Sequence, residues 1–243
     1  GWEAANFLAQ CAERAIGEVR ALLADPAGAK PVPELDFRDL EMREGSFFSG
    51  DHPAMLLGVC GWFSPGQLQE FSDMGYNVIA TEIGPSSTLT GPRKQDVATD
   101  IRGLLQVLDA GRDSNIVVDL LLSPHYVPGW AWEMWRSDLD PTGYRTQVNG
   151  FMPWAVTSTR LREMIQRHLE FLIPRIKDHP ALNSYDLINE AWYRMLPDFP
   201  AEMWQAWKGE GDFYQRYNQF HINTINEFLA WYVGCLLYTS DAA

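Results

Sequence analysis

The sequence predicts an α/β fold, the N-terminal half of a (β/α)8 barrel of parallel strands preceded by a helix and a β-hairpin, and three observations carry that expectation. From residue 54 onward, short apolar runs alternate strictly with amphipathic helical stretches. The runs are nearly continuous in apolar residues, as strands of a parallel sheet buried on both faces require. The turn after the first run lacks the glycine spacing of a dinucleotide-binding fold, because Gly58-Val59-Cys60-Gly61 lies within and at the end of the run.

The elements follow in order. Residues 2–24 read as a helix, with Cys11, Ala15, Val19, Leu22 and Leu23 at helical spacing before Asp25-Pro26-Ala27-Gly28 stops it, so residues 1–30 form a helix and linker ahead of a barrel region at 31–234. Leu40 to Phe48 alternates and turns, as a hairpin does. Ala54–Cys60 is the first parallel strand, and Ser64-Pro65-Gly66-Gln67 caps the helix that follows, with Gly75 closing it in a left-handed conformation. Tyr76–Glu82 is the second strand, and Ile83 to Pro92 is a loop rich in Gly, Pro, Ser and Thr. A helix carrying Val97, Ile101, Leu104, Leu105 and Leu108 ends before Gly111, and Asn115–Leu122 is the third strand.

The pattern then lapses through a stretch rich in proline and tryptophan, too long for a connector and suited to a functional loop. A helix resumes near Ser158, with Leu161, Met164, Ile165, His168, Leu169, Leu172 and Ile176 on one stripe, and Asn183–Glu190 is the fourth strand. Residues 201–207 and 213–233 supply further helix. The tail from Cys235 to Ala243 breaks that pattern, and Cys235–Ser240 can be encoded by a nucleotide run resembling a transposase-end sequencing adapter. Residues 235–243 are therefore expected to be adapter-derived, with the natural gene continuing past Gly234.

Composition narrows the function. A net charge of −13 opposes nucleic acid and anionic membranes, because an acidic field repels phosphate, and leaves a neutral substrate as the better fit. Ten tryptophans exceed what a core of this size needs, and indole faces are good platforms for the apolar faces of sugar rings. Cys11, Cys60 and Cys235 give neither a disulfide framework nor a zinc site, and His52, His168, His179 and His221 show no metal-ligand spacing. His168 fits core packing better, and no cofactor is expected. The chain starts at Gly1-Trp2-Glu3 with no initiator Met or leader pattern, so the true N-terminus is expected to lie upstream and localisation stays open.

In a (β/α)8 barrel the chemistry sits at the C-terminal ends of the strands. Those ends hold Trp62; Glu82; His125 and Trp130; and Asn189-Glu190 with Trp192 and Tyr193. Carboxylates, an amide, an imidazole and aromatics without Lys or Arg suit a sugar and not a phosphate. Trp62, Trp130, Trp132 and Trp192 are the stacking candidates, whereas Trp135, Trp154, Trp204 and Trp207 are expected to pack helices as readily.

The strand Tyr185-Asp186-Leu187-Ile188-Asn189-Glu190, followed by Trp192-Tyr193, resembles the acid/base strand of the clan A glycoside hydrolases, most closely their β-galactosidase-like members. Ala191 stands where that clan often has Pro, a departure that touches the subfamily and not the clan. The resemblance implies a retaining β-glycosidase in which Glu190 is the general acid/base and Asn189 binds the sugar 2-hydroxyl. It further implies that Glu82, His125, Trp62, Trp130, Trp132, Trp192 and Tyr193 contact an oligo- or polysaccharide substrate. The clan's nucleophile ends a seventh strand, so this chain is expected to carry half of a two-carboxylate device and to be inactive by itself. Two alternatives stand beside this reading: a carbohydrate-binding pseudoenzyme on the same barrel, and another barrel enzyme such as a lyase or isomerase. The second would want late phosphate-binding glycines, or a Lys or metal cluster on the rim.

Overall fold

A computed structural model describes residues 2–25, 35–37, 39–43, 45–98, 100–139, 157–189 and 201–241. The chain divides into two compact units, residues 1–35 and 36–243. The first is helix α1 (Trp2–Ala24), which spans the predicted range and carries an Arg14–Glu18 pair one turn apart at 2.9 Å.

The second unit opens with a three-stranded antiparallel sheet of β1 (Leu40–Arg43), β2 (Ser46–Ser49) and β3 (His52–Ala54). Gly45 at φ +79° and Gly50 at φ +58° supply the left-handed backbone of its two tight turns. The hairpin is present, but β3 was not foreseen, since His52–Ala54 read as the approach to the first parallel strand. Pro53, which has no N–H to give, is tolerated because β3 is an edge strand.

The parallel sheet has the order β4 (Gly58–Cys60), β5 (Val78–Glu82), β6 (Val117–Leu121), β7 (Leu182–Asp186). Each strand pairs with its sequence neighbour and the order never reverses, as in a barrel; a doubly wound sheet turns back at a switch point. β4 is shorter than expected and is not buried on both faces, with Met55 77% and Leu57 46% exposed. The Asn77 side chain accepts from Leu57 N and donates to Met55 O, both at 2.8 Å, along the lead-in, and among the described residues β4 pairs with a strand on one side only. Between β6 and β7 the register slips by one at Asn183.

The crossovers are α2 (Pro65–Asp73), α3 (Pro85–Thr88), α4 (Arg102–Asp113), α5 (Gly129–Leu139) and α6 (Thr159–Ile176); α7 (Ala201–Ala206) and α8 (Phe213–Asp241) follow β7. Gln67 Oε1 accepts from Ser64 N at 2.8 Å, the predicted capping contact, and Gly75 has φ +90°. Ser158 caps α6 by accepting from Leu161 N. Three expectations are corrected. Gly111 lies inside α4 instead of past its end, because a Cβ there would sit 2.8 Å from Ile116 O and only glycine lets helix and strand approach so closely. Residues 129–139 form α5, kinked at Trp135, where a loop was expected. Helix α8 also continues through the expected break at Cys235, with the Thr239 and Ser240 hydroxyls donating to the Cys235 and Leu236 carbonyls. That stretch has two leucines and no Gly or Pro after Gly234, so nothing local stops the helix.

Alternation sorts the sheet into two faces. Ile79, Val118, Leu120 and Leu122 are fully buried with Leu68, Leu108, Leu161, Ile165, Leu169 and Leu172 in the core beneath the helices. Tyr232 on α8 donates to Leu122 O at 2.8 Å, tying that helix to the end of β6. The opposite face carries Ala80, Glu82, Asp119, Leu121, Ser184 and Asp186. Toward the strand starts, Leu40, Met42 and Phe47 of the antiparallel sheet line a cavity of ≈ 520 Å³ together with Val78, Asp119 and Ser184.

Candidate active site

At the C-terminal ends of the parallel strands lies a cavity of ≈ 270 Å³. It is lined by Cys60 and Gly61 from β4, Thr81 and Glu82 from β5, Asp119 and Leu121 from β6, and Asp186 and Asn189 from β7 and just beyond it. Strand ends meet there because all four strands run the same way and their loops diverge above them. The three carboxylates Glu82, Asp119 and Asp186 give the cavity an acidic lining, and no Lys or Arg lies among its described lining residues. A larger cavity of ≈ 380 Å³ sits between α6 and α8, away from the strand ends.

Glu82 and Asn189 both line this cavity. Tyr126 donates from its hydroxyl to Glu82 Oε1 at 3.0 Å. Burial and the nearby Glu82 carboxylate push the Tyr126 phenol above its ordinary pKa of 10.0, so it remains a donor across neutral and mildly alkaline pH. Asp119 accepts from Ser184 Oγ at 2.8 Å, and Asp186 Oδ1 accepts from Ile188 N at 3.3 Å.

His125 is 2% exposed, and its Nε2 lies 2.7 Å from Asn189 O. A carbonyl oxygen only accepts, so Nε2 carries the hydrogen, and the imidazole fixes the backbone of Asn189 where β7 ends. Trp62 is 70% exposed, and its ring stands at 72° to that of Tyr126 with centroids 6.3 Å apart.

Trp130 and Trp132 lie on α5 and pack against the core. Trp130 donates from its indole N–H to Leu89 O at 3.3 Å and stands edge-on to Trp135 at 5.0 Å, while the Arg136 guanidinium lies 5.3 Å from the Trp132 ring. Neither is among the residues lining the strand-end cavity. Trp135, Trp204 and Trp207 pack helices, and His168 is fully buried on α6, in keeping with the core roles considered for them. Glu190, Trp192, Tyr193 and Trp154 lie outside the described residues.

Asp119 and Asp186 were not foreseen as parts of this site, and Tyr126, which follows His125 at the end of the third strand, was not foreseen as the partner of Glu82. Asp119 had a signal: a carboxylate inside Val117-Val118-Asp119-Leu120-Leu121 must face something other than the core. Gly84 had one too. A Cβ at Gly84 would sit 2.5 Å from Ser123 O and 2.8 Å from Tyr126 Cβ, so a glycine two residues past Glu82 is what allows the loop after β6 to close over it.

No protein-family model and no curated protein matches the sequence. Solved structures do. The cold-adapted β-galactosidase of Rahnella sp. R3 aligns with a TM-score of 0.52 and 17% identity over 77% of this chain and 34% of that one. The β-1,4-mannanase of the common sea hare Aplysia kurodai aligns with a TM-score of 0.50 and 20% identity over 84% and 62%. The β-galactosidase of the psychrophilic Marinomonas ef1 aligns with a TM-score of 0.42 and 20% identity over 56% and 22%. The chain spans less than two thirds of the length of each. At these identities the likeness is one of fold: a mixed α/β chain whose four-stranded parallel sheet is compatible with part of a (β/α)8 barrel.

Proposed function

We propose that the chain carries the acid/base side of a retaining β-glycosidase of the β-galactosidase-like kind. Glu190 is its general acid/base and Asn189 its ligand for the sugar 2-hydroxyl. The observation that carries this reading is that Asn189, at the end of the fourth parallel strand, lines the strand-end cavity together with Glu82. The acidic lining, the exposed Trp62 and the strand Tyr185–Glu190 support it.

In the first step Glu190 gives its proton to the glycosidic oxygen as the bond to the anomeric carbon breaks, and a second carboxylate takes that carbon into a covalent glycosyl-enzyme. In the second step Glu190, now ionised, removes a proton from the attacking water and the sugar leaves with retained configuration. The second carboxylate belongs to a strand other than the four described here; retaining chemistry needs it roughly 5–5.5 Å from the first. His125 holds the Asn189 carbonyl and so fixes the backbone of the residue that precedes Glu190 in the sequence.

The test uses the whole open reading frame that contains these codons. With an activated aryl β-glycoside, Glu190→Ala is expected to form the glycosyl-enzyme and stall, and azide to restore turnover with a β-glycosyl azide as product. If azide restores nothing, Glu190 is not the acid/base. A wild-type product that binds oligosaccharides but turns over no aryl glycoside favours a carbohydrate-binding protein on the same fold. Reading the source locus past codon 234 tests the proposed adapter origin of residues 235–243, which predicts that the genomic sequence diverges there.

A further inference from the structure

Among the cavity carboxylates, Glu82 is held in a different way from the others. Asp119 and Asp186 accept from groups on β7 or just after it, Ser184 Oγ and Ile188 N. Glu82 accepts instead from a phenol brought in from the loop after β6, Tyr126.

That phenol is itself fixed. Gly84 lets the Tyr126 backbone approach β5, Ser86 N donates to Tyr126 O at 2.9 Å, and the Trp62 ring stands edge-on to the phenol. A carboxylate has about four lone-pair positions, of which the Tyr126 hydroxyl occupies one. The remainder are held at the cavity in one orientation, which lowers the ordering cost of receiving donors there.

Sugar hydroxyls are donors that match such a group. A uronic acid differs from its neutral counterpart by replacing a hydroxymethyl donor with a carboxylate. In this cavity it would meet Glu82, Asp119 and Asp186 with no described Lys or Arg to offset them.

We propose that Glu82 and Tyr126 act as one unit, the phenol fixing the carboxylate to accept hydroxyl hydrogens of an uncharged sugar, and that this unit selects neutral sugars over the matching uronic acids. The inference rests on the glycoside reading of the site and adds its substrate class, with Glu82 as the selecting group and Tyr126 as a positioning residue.

The test is calorimetric titration of the chain at pH 7 with cellobiose, β-1,4-mannobiose and β-1,4-galactobiose, and with their uronic-acid counterparts. At least one neutral disaccharide should bind, its uronic counterpart at least about tenfold more weakly. Glu82→Gln and Tyr126→Phe should each weaken the neutral ligand by about tenfold, the loss of one charged hydrogen bond, and the double variant should lose no more than the worse single one. Glu82→Gln should also narrow the neutral-to-uronic ratio, which a purely structural role would leave alone and which does not depend on Tyr126→Phe folding. Equal affinity for the two classes, additive losses, or an unchanged ratio in Glu82→Gln overturns the proposal. If the wild-type chain binds none of the neutral disaccharides at millimolar concentration, the glycoside reading falls and this inference with it.

Discussion

The Tyr126 hydroxyl and Glu82 Oε1 are 3.0 Å apart, a contact that joins the loop after one parallel strand to the end of the preceding one. It depends on features at three levels. Alternation along β5 turns Glu82 toward the cavity, the parallel pairing of β5 with β6 brings Leu121 beside it, and Gly84 gives the loop room to fold back.

Gly84→Ala should therefore damage the site more than a surface change would. A methyl group 2.5 Å from Ser123 O forces the two loops apart. We expect a loss of about 1–3 kcal/mol in urea denaturation, as overpacking usually costs. Weakened neutral-disaccharide binding should accompany it, and unchanged stability and affinity would show that the two loops move freely.

Arg167 organises the segment that follows. It is 7% exposed on α6, and its guanidinium donates to the carbonyls of Gly91, Pro92 and Arg93. Arg167→Met should cost about 2–4 kcal/mol, because the carbonyls of Gly91, Pro92 and Arg93 lose a charged donor together. Hydrogen exchange should rise at the amides of Thr90 and Ala98, whose bonds to Asp96 O and Thr88 O close the same turn. Exchange unchanged at those two amides would contradict the assignment.

Stability should fall on the acid side through His168. Its Nδ1 lies 2.7 Å from Thr88 Oγ1, and complete burial pulls its pKa from 6.5 down to about 3. The unfolded chain takes up a proton below pH 6.5 that the folded chain refuses. The contribution is thus fully present above pH 6.5 and is lost as pH falls from there toward 3, by up to about 1.4 kcal/mol per pH unit. Urea midpoints between pH 4.5 and 7.5 should show this slope, and His168→Gln should be flatter over the same range. Parallel curves would mean that other groups carry the acid sensitivity.

The outer strands should promote self-association. Among the described residues β4 and β7 each pair with one strand, and Met55 and Leu57 lie exposed just ahead of β4. Sedimentation velocity is expected to show concentration-dependent association, reduced by Met55→Glu with Leu57→Lys. A monodisperse wild-type chain at high concentration would count against an open sheet.

How much of this was legible in the sequence follows the range of the interactions involved. The Ser64–Gln67 cap and the Gly75 stop were readable because both partners lie within one helix turn. Glu82 and Asn189 were readable because a strand end is a position that an apolar run marks. Strand β3 was not, since His52-Pro53-Ala54 runs straight into the next apolar residues and only the turn at Gly50 separates them. Helix α5 was hidden by prolines on both sides of the Trp-rich stretch. The pairing of Tyr126 with Glu82 was not readable because the two lie 44 residues apart, and neither was the bond from the Trp130 indole N–H to Leu89 O.

The central claim, that the strand-end cavity is a site for neutral sugars, is tested most directly by amide NMR of the labelled chain during titration with β-1,4-mannobiose and β-1,4-galactobiose. The account predicts saturable shifts at Gly61, Glu82, Tyr126 and Asn189, around the ≈ 270 Å³ cavity. Shifts confined to the groove between α6 and α8, or none with either sugar, would contradict it.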